Sequence, residues 1–170
     1  ATHGFSKDHR PDLKQLVWIL TVAADGAVPL AHRVADGNTE DSTTHIATWE
    51  GLCQLLGRND FLYVADSKLA VRTTMDHIHR KGGRFVTVLP RSRKEDQALR
   101  EWLVSHQPEW AEVLRRPGRR QEDPDDVYSV APAPWPSSEG YRVVWVRSTG
   151  KRERDAETRQ RRIADGIAAL

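Results

Sequence analysis

FLYVADSKLA, residues 61–70, decides how this sequence is read. Phe61, Leu62, Tyr63 and Val64 lead through Ala65 into a lone acid, Asp66, and then into a polar pair. A run this short, rich in branched and aromatic residues, predicts a buried strand over 61–65. The acid at its end has two local readings. It can accept hydrogen bonds from the free amides of a following helix, an ordinary task for aspartate after a strand. It can also serve as a ligand, because the carboxyl ends of strands in α/β sheets are where ions and substrates collect.

Working outward from this strand, the chain reads as an alternation of strands and helices. LKQLVWILTVAAD, 13–25, is a continuous apolar run followed by an Asp25-Gly26 hairpin signal and then VPLAHRV, 28–34, which predicts two antiparallel strands. Asp41 or Ser42 is placed to cap a helix reaching Gly57, with Ile46, Trp49, Leu52, Cys53 and Leu56 on one face. Beyond Asp66 a second helix carries Val71, Met75 and Ile78 and stops at Gly82-Gly83. RFVTVLP, 84–90, is a further strand. Strand, strand, helix, strand, helix, strand is an α/β pattern for residues 1–90.

After Pro90 the character changes. KEDQALREWLVSHQ predicts a helix with Leu99, Trp102 and Leu103 inward, then a shorter helical piece holding Trp110 and Leu114, and a loop over RRPGRRQEDPDD. VYSVA and YRVVWVR read as strands joined by the proline-rich APAPWPSSEG, and the last twenty residues as a charged helix with a thin stripe of Ala156, Ile163, Ile167 and Leu170. Residues 91–170 are therefore expected to form a second, α+β region.

Composition bounds the function. The 170 residues are 38% hydrophobic and 29% charged, with net charge +2, which suits one globular core with an appendage. No apolar run is long enough to span a bilayer, and the N-terminus lacks the apolar middle of a secretory signal, so a soluble, cytoplasmic chain is expected. The single Cys53 excludes zinc sites built from several thiolates and any internal disulfide. Residues 1–90 balance 10 basic with 10 acidic side chains, whereas 91–170 carry 16 and 14, clustered as RRPGRR, KRER and RQRR. Such clusters suit phosphate contacts or a solvated face.

Other motifs fail on spacing. Counting an EF-hand from Asp36 puts Asp41 where glycine is needed and Ala47 where glutamate is needed. His77 and His79, two apart on a helix, point to different faces. Neither a Gly-x-Ser-x-Gly elbow nor a glycine-rich phosphate loop is present.

The joint pattern GFSKDHRPDLKQL (4–16), DGNTEDS (36–42), VADSKLA (64–70), GGRFVTVLPRSRKED (82–96) and EGYRVVWVRSTGKRERDAETRQRRIADGIAAL (139–170) resembles bacterial insertion-sequence transposases of the DDE class, in particular the group named for a Tyr-Arg-Glu-Lys signature. The resemblance implies a ribonuclease H-like fold in which three carboxylates hold two magnesium ions, with manganese as a substitute, for DNA strand cleavage and transfer in transposition. Asp66 matches the second acid, making it the implied catalytic and metal-binding residue. Lys7, His9, Arg10 and Lys14 are the implied DNA contacts. The run 13–25 matches the second strand of that fold, so the first acid is expected upstream of Ala1. The third is expected downstream of Leu170, because Tyr63, Tyr128 and Tyr141 are followed three positions on by Asp66, Ala131 and Val144 rather than arginine. The expectation is a mixed sheet lacking its first strand, followed by an insertion region. Its partners would be DNA and, through the missing strand, another copy or a full-length transposase. The alternative is a non-catalytic remnant that binds DNA or the full-length enzyme.

Overall fold

The computed structural model describes residues 1–4, 10, 12–118, 120 and 123–169. The chain is mixed α/β, with three small sheets and four helices among the described residues, and divides into two compact units, Ala1–Pro90 and Arg91–Leu170. No helix among the described residues is long and apolar enough to cross a membrane.

In the first unit, β1 (Thr2–His3), β2 (Lys14–Val22) and β3 (Pro29–Asp36) form one antiparallel sheet. The β2–β3 hairpin closes with Ala23 N–H donating to the Val28 carbonyl at 2.8 Å, and Gly26 and Ala27 supply the positive φ values that the turn requires. A second, parallel sheet pairs β4 (Leu62–Ala65) with β5 (Arg84–Thr87), so the strands of this unit form two separate sheets. The connections are α1 (His45–Leu56) and α2 (Arg72–Arg80).

Trp49 of α1, 1% exposed, centres the core. Its ring meets Phe61 and His77, with centroids 6.3 and 6.1 Å away. Leu52, Tyr63, Leu69, Met75 and Ile78 complete the buried set. The end of α2 shows why two glycines follow it. Gly82 sits at φ +77°, its N–H bonds the His79 carbonyl, and Gly83 N–H bonds the Ile78 carbonyl, the double closure of a Schellman cap. A Cβ on Gly83 would stand 2.6 Å from Trp49 Cζ2 and 2.7 Å from Ile78 Cγ2, so only glycine lets the chain turn against the tryptophan.

The β4–β5 sheet is covered on one face only, and β3 is exposed along nearly its whole length. Tyr63 is buried, and Phe85 and Thr87 are half-buried, whereas Leu62, Val64 and Val86 are exposed. In β2 exposure alternates along the strand, yet Leu16, Trp18, Leu20 and Val22 are the exposed members. The strands are thus apolar on both faces, a composition suited to full burial.

The second unit has α3 (Lys94–Trp102), an antiparallel sheet of β6 (Ala111–Arg116), β7 (Asp126–Pro132) and β8 (Val144–Ser148), and α4 (Thr149–Ala168). Several expectations are corrected. The helical piece around Trp110 and Leu114 is strand β6, in which Leu114 pairs with Tyr128. The helix 94–107 ends at Trp102, whose carbonyl accepts from the amide of His106, and Leu103 is exposed rather than inward. Neither Asp41 nor Ser42 caps α1 by side chain. Both lie in a 3-10 turn, Asp41–Thr43, and Ser42 Oγ donates to Glu40 instead. The strands over 84–90 and 141–147 are shorter than expected, and Ile163 and Ile167 of α4 are exposed. Leu170 lies outside the described residues.

A buried ion cluster holds the second unit. Arg93 donates to both Glu95 and Glu139 at 2.7 Å and to Ser138 Oγ at 2.9 Å, with all three charged side chains less than a fifth exposed. The Arg93 guanidinium holds the Glu95 carboxyl down to about 2, from an ordinary 4.5, and lowers Glu139 as well. A carboxyl held down by folding contributes stability that is complete above its unfolded pKa and lost as pH falls through the folded value. The urea midpoint of this unit, read by tryptophan fluorescence, should therefore hold from neutral pH to about 5 and decline between pH 4.5 and 2. Arg93→Met should cost about 3–5 kcal/mol at pH 7, by stranding two buried carboxylates, and should abolish that acid-side decline.

Candidate functional site

The end of β4 is fixed by three local interactions that converge on Asp66. Its Oδ1 accepts the Lys68 N–H at 2.9 Å, opening the 3-10 turn Ser67–Leu69. Its carbonyl accepts Thr87 Oγ1 at 2.5 Å, which ties the end of β4 to the end of β5. Leu69, fully buried, anchors the turn from below. The capping reading of Asp66 is thus realised through one carboxylate oxygen, while the residue itself stays exposed. Oδ2 has no partner among the described residues and is open to a ligand.

Beside it stands His45, in the first turn of α1. Its Nδ1 lies 3.1 Å from the Tyr63 hydroxyl, and its Nε2 is buried without a partner among the described residues. Burial holds His45 below the ordinary histidine range, and the nearby charges of Asp66 and Asp41 act against that effect. Burial also raises the Tyr63 phenol to about 12, keeping it a neutral hydrogen-bonding group.

These residues rim a cavity of about 1380 Å³ between β2 and β4. Glu40, Asp41, His45 and Asp66 line it, and so do Arg10, Lys14 and Lys68. Of the four basic residues expected to touch DNA, Arg10 and Lys14 therefore share one cavity with Asp66. Lys7 and His9 lie outside the described residues. Arg10 is held by Asp12, at 2.9 and 2.7 Å, an exposed pair that contributes little to stability.

The fit to a two-ion centre is incomplete. No group of three histidine, cysteine, aspartate or glutamate side chains among the described residues stands close enough to hold a metal ion. Asp66 offers a single carboxylate, one oxygen of which already accepts from a backbone amide. Hard divalent cations take six or more oxygen ligands, so these residues do not build that centre, and Asp66 could contribute only one ligand to it.

Sequence reasoning missed Thr87, His45 and Tyr63 at this site. The branched, strand-forming Thr87 was legible only as a strand residue, and the His45–Tyr63 contact spans 18 positions with no local signature. It also missed Glu50, which accepts from Lys81 at 2.7 Å and lies 3.0 Å from His77 Nε2, joining α1 to α2.

Comparison of the chain with family models, with curated proteins and with solved structures returned no match.

The charge of Asp66 raises the His45 pKa against burial. Asp66→Asn should therefore move the His45 titration midpoint to lower pH, followed by NMR of its ring protons. An unchanged midpoint would place the two side chains out of electrostatic reach.

Proposed function

We propose that this chain is the middle portion of the catalytic core of a DDE transposase, ribonuclease H-like in fold, acting in DNA transposition by metal-dependent strand cleavage and transfer. The observation that carries this reading is Asp66. It is an exposed carboxylate with one free oxygen, pinned at the carboxyl end of a strand in a parallel pair, at the rim of an open cavity. That is where α/β sheets place ligands, and it is the position of the second acid in the sequence words VADSKLA.

Within this reading the role of each residue is limited. Asp66 would supply one ligand toward magnesium or manganese, and the metal centre's chemistry awaits carboxylates that the described residues do not bring to it. The ions would activate an attacking oxygen and neutralise charge on the phosphodiester. Arg10 and Lys14, with Lys7 and His9, would hold the DNA backbone through salt-sensitive phosphate contacts. The setting is the cytoplasm, where bacterial DNA lies.

A second reading is favoured by the edges of β2 and β4 that have no partner strand among the described residues. On that reading the chain is a non-catalytic remnant that binds DNA or a full-length transposase.

Mn²⁺ tests the first reading by paramagnetic line broadening. Added at low stoichiometry, it should broaden the amide signals of residues 65–68 and the ring signals of His45 ahead of all others, and Asp66→Asn should remove that preference. Equal broadening in both proteins would contradict a metal role for Asp66. Purified chain given Mn²⁺ and a DNA 3′ end should show no strand transfer, and detectable transfer would overturn the partial-core assignment.

A further inference from the structure

The sheet of the second unit has two outer edges, and they are built differently. β6 carries a bulge between Glu112 and Leu114 and exposes Glu112, Arg115 and Arg116. Bulges and charges of this kind keep another strand from adding to an edge. β8 has neither. Its register with β7 runs without a shift, its one charged residue is Arg147, and Val146 is 65% exposed. Among the described residues no strand pairs with its outer edge. The first turn of α4 is tied inward to β7 and leaves that edge open. Asp126 accepts the Gly150 N–H, and Thr149 Oγ1 accepts the Val127 N–H, each at 2.9 Å.

The backbone of β8 fixes what can pair there. The Ala133 N–H donates to the Val143 carbonyl at 3.0 Å, and antiparallel neighbours alternate between residues that exchange hydrogen bonds and residues that do not. Val143, Trp145 and Arg147 therefore turn their main-chain groups toward β7, and Val144, Val146 and Ser148 turn theirs outward. An antiparallel strand that satisfies this edge must match those three outward positions in reverse order.

The sequence VWVRS, 144–148, does so against itself. With Val146 opposite Val146 of a second copy, Val144 faces Ser148, and every outward residue meets an outward residue. The same register sets Trp145 against Arg147 twice, in the non-bonded pairs whose side chains approach most closely. Arg147 already lies over a ring in its own chain, its guanidinium carbon 4.4 Å from the centre of Trp110, so a second indole extends a cation–π contact. Centring the pair on Arg147 would set like charges face to face, which destabilises a sheet. Centring it on Trp145 would leave Arg147 opposite Val143, with no ring to meet.

We propose that the outer edge of β8 is a self-recognition surface, through which two copies of this chain pair antiparallel over residues 144–148, centred on Val146, and join their three-stranded sheets into one. Such a two-fold contact is isologous, so one patch serves both copies. It involves neither β2 nor β4, and it stands whether or not Asp66 binds metal.

Sedimentation velocity of the whole chain over a range of concentrations tests the pairing. The expected result is a monomer–dimer equilibrium that Val146→Lys, a charge placed on the edge, shifts toward monomer by about tenfold or more. Leu114→Lys on β6 should leave that equilibrium within about twofold. Val146→Pro removes an outward N–H and no bond to β7, and should act like Val146→Lys. In the unaltered chain, amide exchange at Val144 and Val146 should slow as concentration rises, a measurement that decides the question without any variant. A chain that stays monomeric at every concentration would overturn the proposal. So would a dimer that Val146→Lys leaves intact, or concentration-dependent protection confined to Leu16–Val22 or Leu62–Ala65, since either would assign association to another surface.

Discussion

A strand that is apolar on both faces is built for the middle of a sheet, where each edge has a neighbour and each face a cover. The first unit of this protein depends on how that requirement is met for β2 and β4. Each strand satisfies one edge, through β3 and β5 respectively; β4 also buries Tyr63 in the core around Trp49, whereas β2 only alternates half-buried with exposed residues. The remaining edges border one cavity. Backbone groups left unpaired away from water cost about as much as a lost hydrogen bond each, and here the open cavity leaves both edges to solvent. The positions of Asp66, His45 and Lys14 around one space all follow from this arrangement.

Asp66 caps a turn and still offers a free carboxylate oxygen. Capping uses Oδ1 and leaves Oδ2 free. The Thr87 bond to its carbonyl fixes the backbone without engaging the carboxylate. A residue that only capped a turn would need no such fixation from a neighbouring strand.

What was legible in the sequence follows the strength of local patterns. The β2–β3 hairpin, α1 with its stop at Gly57, β4 ending on Asp66 and α2 with its two-glycine closure all announce themselves within a dozen residues. β6 did not. AEVLRR is exposed along its whole length, so it shows no inside-outside alternation, and its strand character comes from pairing with β7 rather than from its own residues. The clamp of Arg93 on Glu139 bridges 46 positions, and no spacing rule reaches that far. The same holds for the cavity. Its lining gathers residues from positions 10 to 68, further apart than any local pattern reaches.

Residue-resolved amide exchange of the free chain tests this account most directly. In a strand paired on one edge, N–H groups point alternately to the partner and away from it. The account predicts a two-residue alternation in both Leu16–Val22 and Leu62–Ala65, with amides bonded to β3 or β5 protected and the intervening ones exchanging fast. Uniform protection along both strands would mean that both edges are already paired in solution, and would contradict one-sided pairing of β2 and β4.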